Sequence, residues 1–156
     1  MNIALIVNGT PYQNRFLEEQ EFKYLYNDVI HIRTLSSYDL SCYDTILLSC
    51  RLDIQLLKQH RQIFLNFLKQ GKRLVIFGEV LDQWFPHIHW EDSEVNFSWW
   101  VRPNGDLPLN PDYQTHSLYE YLKVDDMKWH YHGTFAPPNG AKIGRASCRE
   151  RVSTSV

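Results

Sequence analysis

The sequence predicts an α/β domain built on an open, mostly parallel sheet flanked by helices, and three observations predict it. Ile3 to Val7, Val29 to Arg33, Thr45 to Ser49 and Arg73 to Phe77 are short, continuously apolar and rich in β-branched residues, the pattern of strands buried on both faces. Amphipathic stretches of helical period separate the first from the second and the third from the fourth; parallel neighbours require such crossovers, which are right-handed. A hydrophobic fraction of 44% and an aromatic fraction of 14% in 156 residues suit one globular core and not a disordered chain.

The first helix has a marked start. Thr10 is a capping residue, Pro11 suits the first helical position, and Gln13 stands where a capping box needs it. RFLEEQEFKYLY supplies the expected helical body. Between the third and fourth strands, DIQLLKQHRQIFLNFLKQG places Ile54, Leu57, Phe64, Phe67 and Leu68 on one stripe, widened by Leu56 and Ile63. Asp53 caps its start and Gly71 its end.

After Val80 the texture changes. DQWFPHIHWEDSEVNFSWWVRPNGDLPLNPDYQ shows no sustained period and reads as a long loop with a short strand at VNFSWWV. HSLYEYL reads as a short helix, MKWHYHGTF as a strand and PPNG as the following turn. Residues 1–142 are expected to form a single domain. The tail from Ile143 is poor in apolar residues and dense in Arg and Ser, and Ile143 to Val152 resembles a translated sequencing adapter. Residues 143–156 are therefore expected to be non-native or disordered, and the domain to be C-terminally incomplete.

A net charge of −2 with scattered Lys and Arg provides no basic face to displace the counterions of nucleic acid. No apolar run approaches the roughly 18 residues of a membrane span, and the N-terminus lacks a basic leader, so a cytoplasmic protein is expected. Cys42, Cys50 and Cys148 show no CxxC spacing, which indicates neither a disulfide framework nor a thiolate zinc site. No cofactor is expected.

In open α/β sheets, ligands bind outside the carboxyl ends of the strands, where strand order reverses. Three expected strand ends meet there: Asn8-Gly9-Thr10, Cys50-Arg51 and Gly78-Glu79. A glycine turn at a helix N-terminus favours anions, although the same turn serves as a plain connection. Arg51 suits bidentate capture of a carboxylate or phosphate, or stands as a solvated charge. His87-Ile88-His89 and His130-Tyr131-His132 place paired imidazoles on one face of a strand. Structural or substrate-contacting roles are expected for them, the alternative being a zinc or iron site at His87, His89, His130 and His132, or at three of these with Glu79 or Glu91. Trp84, Trp90, Trp99 and Trp100, near Arg102, Glu91 and Asp92, suit a sugar ring or anchor the long loop.

YDTILLSCRLDIQLLKQHRQIFLNFLKQGKRLVIFGE resembles the core of class I glutamine amidotransferase-like domains, nearest the trehalose-utilisation-like branch, and WHYHGTFAPPNGA suits the same superfamily. The resemblance covers residues 1–142 and implies a flavodoxin-like sheet. In catalytic members the strand equivalent to LVIF leads into a turn bearing a cysteine nucleophile. Here Gly78, Glu79 and Val80 follow it, with no thiol to generate a thiolate, so glutaminase chemistry is not expected.

The expected function is binding of a small polar or carbohydrate-derived ligand at the strand ends. The ligand-binding set is Asn8, Gly9, Thr10, Arg51, Gly78, Glu79, Trp99, Trp100, His130 and His132, with Glu79 and His132 as the candidate catalytic groups. A metal-assisted hydrolase or isomerase using the H-x-H pairs, and a non-catalytic interaction module, are the alternatives.

Overall fold

A computed structural model of the chain describes residues 1–77, 83–86, 89–92, 101, 120, 121, 123 and 133–136. The chain divides into two compact units, Met1–Pro86 and His87–Val156. In the first, β1 (Ile3–Val7), α1 (Pro11–Glu18), β2 (Asp28–His31), β3 (Thr45–Leu48), α2 (Ile54–Lys69) and β4 (Arg73–Ile76) follow in order. The strands form an all-parallel sheet in the order β2-β1-β3-β4. The α/β architecture, the four strands and both helices agree with the sequence expectation.

The connection from β1 runs outward to β2, and the connection from β3 runs outward the other way to β4. Right-handed crossovers then place α1 and α2 on opposite faces. One face carries Ala4, Ile6, Ile30, Ile46 and Leu48, all almost fully buried, and α2 supplies Leu57, Phe64 and Phe67 to that core. Ile32 and Leu35 add to it from the 3-10 turn Ile32–Ser37. The other face carries Leu5 and Val7 beneath α1 but leaves Val75 37% and Phe77 52% exposed.

Both caps of α2 form as expected. Asp53 Oδ1 accepts from the Gln55 and Leu56 amides at 2.9 and 3.2 Å, and Gly71 takes φ +76 after the last turn. His60 joins the buried stripe between Leu57 and Phe64, a position that the apolar pattern does not include.

Two boundaries differ from expectation by more than one residue. The α-helix stops at Glu18 and a 3-10 turn covers Gln20–Leu25, where helix was expected to continue. Glu18, Glu19, Gln20 and Glu21 interrupt the apolar period, so a continued helix would have no face to bury there. The chain folds back instead, and Phe22 stacks on Phe16 at 4.8 Å between ring centroids. β2 was expected to reach Arg33 but ends at His31, because His31 Nδ1 accepts from the Arg33 amide at 3.2 Å and turns the chain into the next 3-10 turn.

The amino ends of the strands are joined by side chains. Asp44 Oδ2 accepts from the Asn2 amide at 2.7 Å, Asn27 Oδ1 from the Ile3 amide at 2.8 Å, and Asp28 Oδ2 from the Tyr43 hydroxyl at 2.9 Å. Trp84 is buried against Phe64, edge to face at 5.7 Å, and touches Phe85 at 5.2 Å. Trp84 is thus an anchor for its segment, one of the two roles open to it from sequence.

In the second unit, β5 (His89–Asp92) pairs antiparallel with β6 (Gly133–Ala136). β5 falls inside the stretch read as a loop, and β6 overlaps the end of the expected strand MKWHYHGTF. The expected strand VNFSWWV, apart from Val101, the turn PPNG and the tail 143–156 lie outside the described residues, as does most of HSLYEYL. Among the described residues, no helix is long and apolar enough to cross a membrane.

Candidate functional site

The strand order reverses between β1, whose sequence neighbour β2 lies on one side, and β3, whose neighbour β4 lies on the other. A crevice at the carboxyl ends of β1 and β3 follows from that reversal. Asn8-Gly9-Thr10 leaves β1 there, and Ser49-Cys50-Arg51 leaves β3.

Gln13, in the first turn of α1, organises the crevice. Its side chain is buried, and its carboxamide uses both ends. Oε1 accepts from the Asn8 amide at 2.9 Å and the Thr10 amide at 3.2 Å. Nε2 donates to Ser49 Oγ at 2.8 Å and to the Cys50 carbonyl at 3.0 Å. With a longer one from Nε2 to the Tyr12 hydroxyl at 3.4 Å, the expected capping contact to Thr10 is therefore one of five hydrogen bonds. Two amides of the turn that sequence alone assigns to an anion already have an internal acceptor.

Tyr12 donates its hydroxyl to the same Cys50 carbonyl at 2.8 Å, and the Cys50 thiol lies 3.7 Å from that hydroxyl. Burial pushes the Tyr12 phenol above its usual range, and the neighbouring Cys50 thiol adds to the shift while Thr10 opposes it. Tyr12 thus stays a neutral donor at physiological pH.

Gly9 adopts φ +73, and a Cβ at this position would lie 3.3 Å from His31 Nε2. Glycine is required both by the left-handed backbone and by this approach. His31 Nε2 lies 3.1 Å from the Asn8 carbonyl while Nδ1 accepts from Arg33. Those partners suit Nε2 as the donor and Nδ1 as the acceptor. Arg51 is exposed and takes φ +58, a left-handed conformation that a non-glycine residue adopts at a cost of about 1 kcal/mol. It turns the chain from β3 towards the Asp53 cap.

Beside the crevice, on the face of the sheet covered by α1, lies an open groove of about 360 Å³. Leu5, Val7 and Leu47 form its floor, Tyr12 and Phe16 one wall, and Phe77 the opposite rim. Cys50 closes the strand-end side.

No family model matches the chain, and comparison with curated proteins and with solved structures finds no match.

Of the residues expected at the site, Asn8, Gly9, Thr10 and Arg51 come together at the ends of β1 and β3. Gly78, Glu79, Trp99, Trp100, His87, His130 and His132 lie outside the described residues, as do Arg102 and the carboxyl-terminal cysteine Cys148. His89 is exposed on β5 and pairs in register with Ala136. Among the described residues, no three His, Cys, Asp or Glu side chains converge as a metal site would require. Sequence reasoning did not place Tyr12, Gln13 and His31 at the crevice. Their partners lie 23 to 38 positions away, and no local pattern signals such contacts.

Proposed function

We propose that this chain is an α/β domain of flavodoxin-like topology, related in design to amidotransferase-like domains but without their nucleophile, that binds a small molecule at the carboxyl ends of β1 and β3. The observation that carries the reading is the groove of about 360 Å³ beside the β1/β3 crevice, a size within the range of small-molecule pockets. The strand order β2-β1-β3-β4 supports it, since it is the opening of the doubly wound order whose ligands sit at that switch point. The polar part of the ligand, carbohydrate-derived or otherwise, faces the Asn8-Gly9-Thr10 turn and Arg51, and the remainder enters the groove.

Saturation-transfer NMR with a chemically mixed fragment set tests this reading. Fragments are expected to bind the wild type and to lose their signal with Leu47→Trp, which fills the floor of the groove. An identical binding profile in the two proteins would contradict it.

A further inference from the structure

The groove's chemistry restricts the class of molecule that it accepts. Leu5, Val7, Phe16, Leu25, Leu47 and Phe77 contribute carbon surface, and among the described residues the lining includes no charged side chain. Three of its polar residues are engaged with one another or with backbone: Gln13 has both ends of its carboxamide bonded, Ser49 Oγ accepts from Gln13, and the Tyr12 hydroxyl donates to the Cys50 carbonyl, while Tyr26 adds one phenol hydroxyl to the lining. A sugar would therefore bury most of its hydroxyls without partners, and a carboxylate or phosphate would lose its hydration without a counter-charge from the described lining.

The shape adds a second restriction. Tyr12, Phe16, Tyr26 and Phe77 bring four aromatic rings to the lining. Phe16 is held by a nearly parallel stack on Phe22, with 13° between the planes, and by Tyr26 at 6.4 Å. A ring fixed by its own neighbours forms a preorganised wall, and offset or edge contacts reward a planar aromatic guest beyond the area it buries.

From this geometry we infer that the groove between α1 and the β1-β3-β4 face is a binding site for a neutral, planar aromatic ring system, carried by the ligand of the preceding section. The inference rests on that reading and adds the chemical class. A sugar or an anionic group on the same ligand remains outside the groove, at the strand ends.

The test uses the full chain with Cys42→Ser and Cys148→Ser, so that Cys50 is the single thiol. Binding of 2-naphthol, 2-naphthoate and trehalose is measured by titration calorimetry, and protection of Cys50 from a maleimide is followed in parallel. The expected result is saturable 2-naphthol binding that slows Cys50 labelling, with 2-naphthoate at least about tenfold weaker and trehalose without effect on labelling. Leu47→Trp abolishes the binding. Phe77→Lys, at an exposed rim position that folding tolerates, weakens it about fivefold or more by placing charge at the mouth.

Trehalose or 2-naphthoate protecting Cys50 where 2-naphthol does not would overturn the assignment to a neutral aromatic ring and leave the small-molecule reading standing. No binding by any of the three, with Cys50 unreactive in the free protein, would mean that protein segments fill the groove, and would overturn both.

Discussion

Gln13 Nε2 donates to Ser49 Oγ at 2.8 Å across 36 positions of the chain, which ties the first turn of α1 to the end of β3. With Oε1 held by the Asn8 and Thr10 amides, one neutral side chain closes the top of the crevice. Removing it strands several buried groups at once. Gln13→Ala is expected to cost about 3 kcal/mol, because each unsatisfied buried donor or acceptor costs on the order of 1 to 3 kcal/mol. Gln13→Glu keeps the acceptor for the amides but turns a carboxylate oxygen towards the Cys50 carbonyl, so its loss is expected to shrink as acid protonates it. Urea denaturation of the two variants measures both effects.

Gly9 and Gly71 have the same backbone handedness, φ +73 and +76, but different surroundings. A Cβ on Gly9 meets His31 Nε2 at 3.3 Å, whereas one on Gly71 meets nothing within 4 Å. Gly71→Ala should cost about 1 kcal/mol for the left-handed conformation alone, and Gly9→Ala about 1 kcal/mol more. In a double-mutant cycle with His31→Ala, Gly9→Ala should show a coupling that Gly71→Ala lacks.

His60 is 4% exposed, and among the described residues its Nε2 has no hydrogen-bond partner. A buried polar atom left unpaired destabilises the fold. His60→Leu is therefore expected to raise stability by about 1 kcal/mol, seen as a higher denaturant midpoint at unchanged slope. His60→Ala should do the opposite, since it opens a cavity beside Leu57 and Phe64.

Tyr43 is 7% exposed and donates to Asp28 Oδ2 at 2.9 Å. Burial, followed by the Asp28 carboxylate, pushes its phenol up to about 12. The unfolded chain releases this proton near pH 10 while the folded one retains it, so the unfolded state binds fewer protons in that interval. Stability from this group is complete below about pH 10 and falls by about 1.4 kcal/mol per pH unit as the pH approaches 12. Tyr12, shifted in the same direction, adds to the alkaline loss. Guanidinium denaturation across this range should show a shallower slope for Tyr43→Phe than for the wild type.

What the sequence conveys here follows from the range of the interactions. Continuous apolar runs announced the four strands of the first unit, but only β1 and β3 are buried along most of their length, whereas β2 and β4 leave Val29 and Val75 exposed. Asp53 and Gly71 announced the ends of α2, because caps act within one turn. The early stop of α1 was present as well, in the acidic and amide run Glu18 to Glu21, but helix propensity alone favours Glu and Gln and conceals the loss of an apolar face. The crevice was legible only as a place. Gln13 looks like a capping residue from its spacing to Thr10, and nothing local reveals its bonds to Ser49 and Cys50. The groove was not legible at all, since it joins β1, α1, β3 and Phe77 after β4 through the tertiary fold.

Hydrogen exchange read by mass spectrometry, with and without saturating 2-naphthol, tests the central claim most directly. Protection is predicted in the peptides covering Leu5 to Phe16, Leu47 to Arg51 and Val75 to Phe77, the segments that meet at the ends of β1 and β3. Protection confined to the unit His87–Val156, or none in those three segments at saturation, would contradict a ligand site at the β1/β3 crevice.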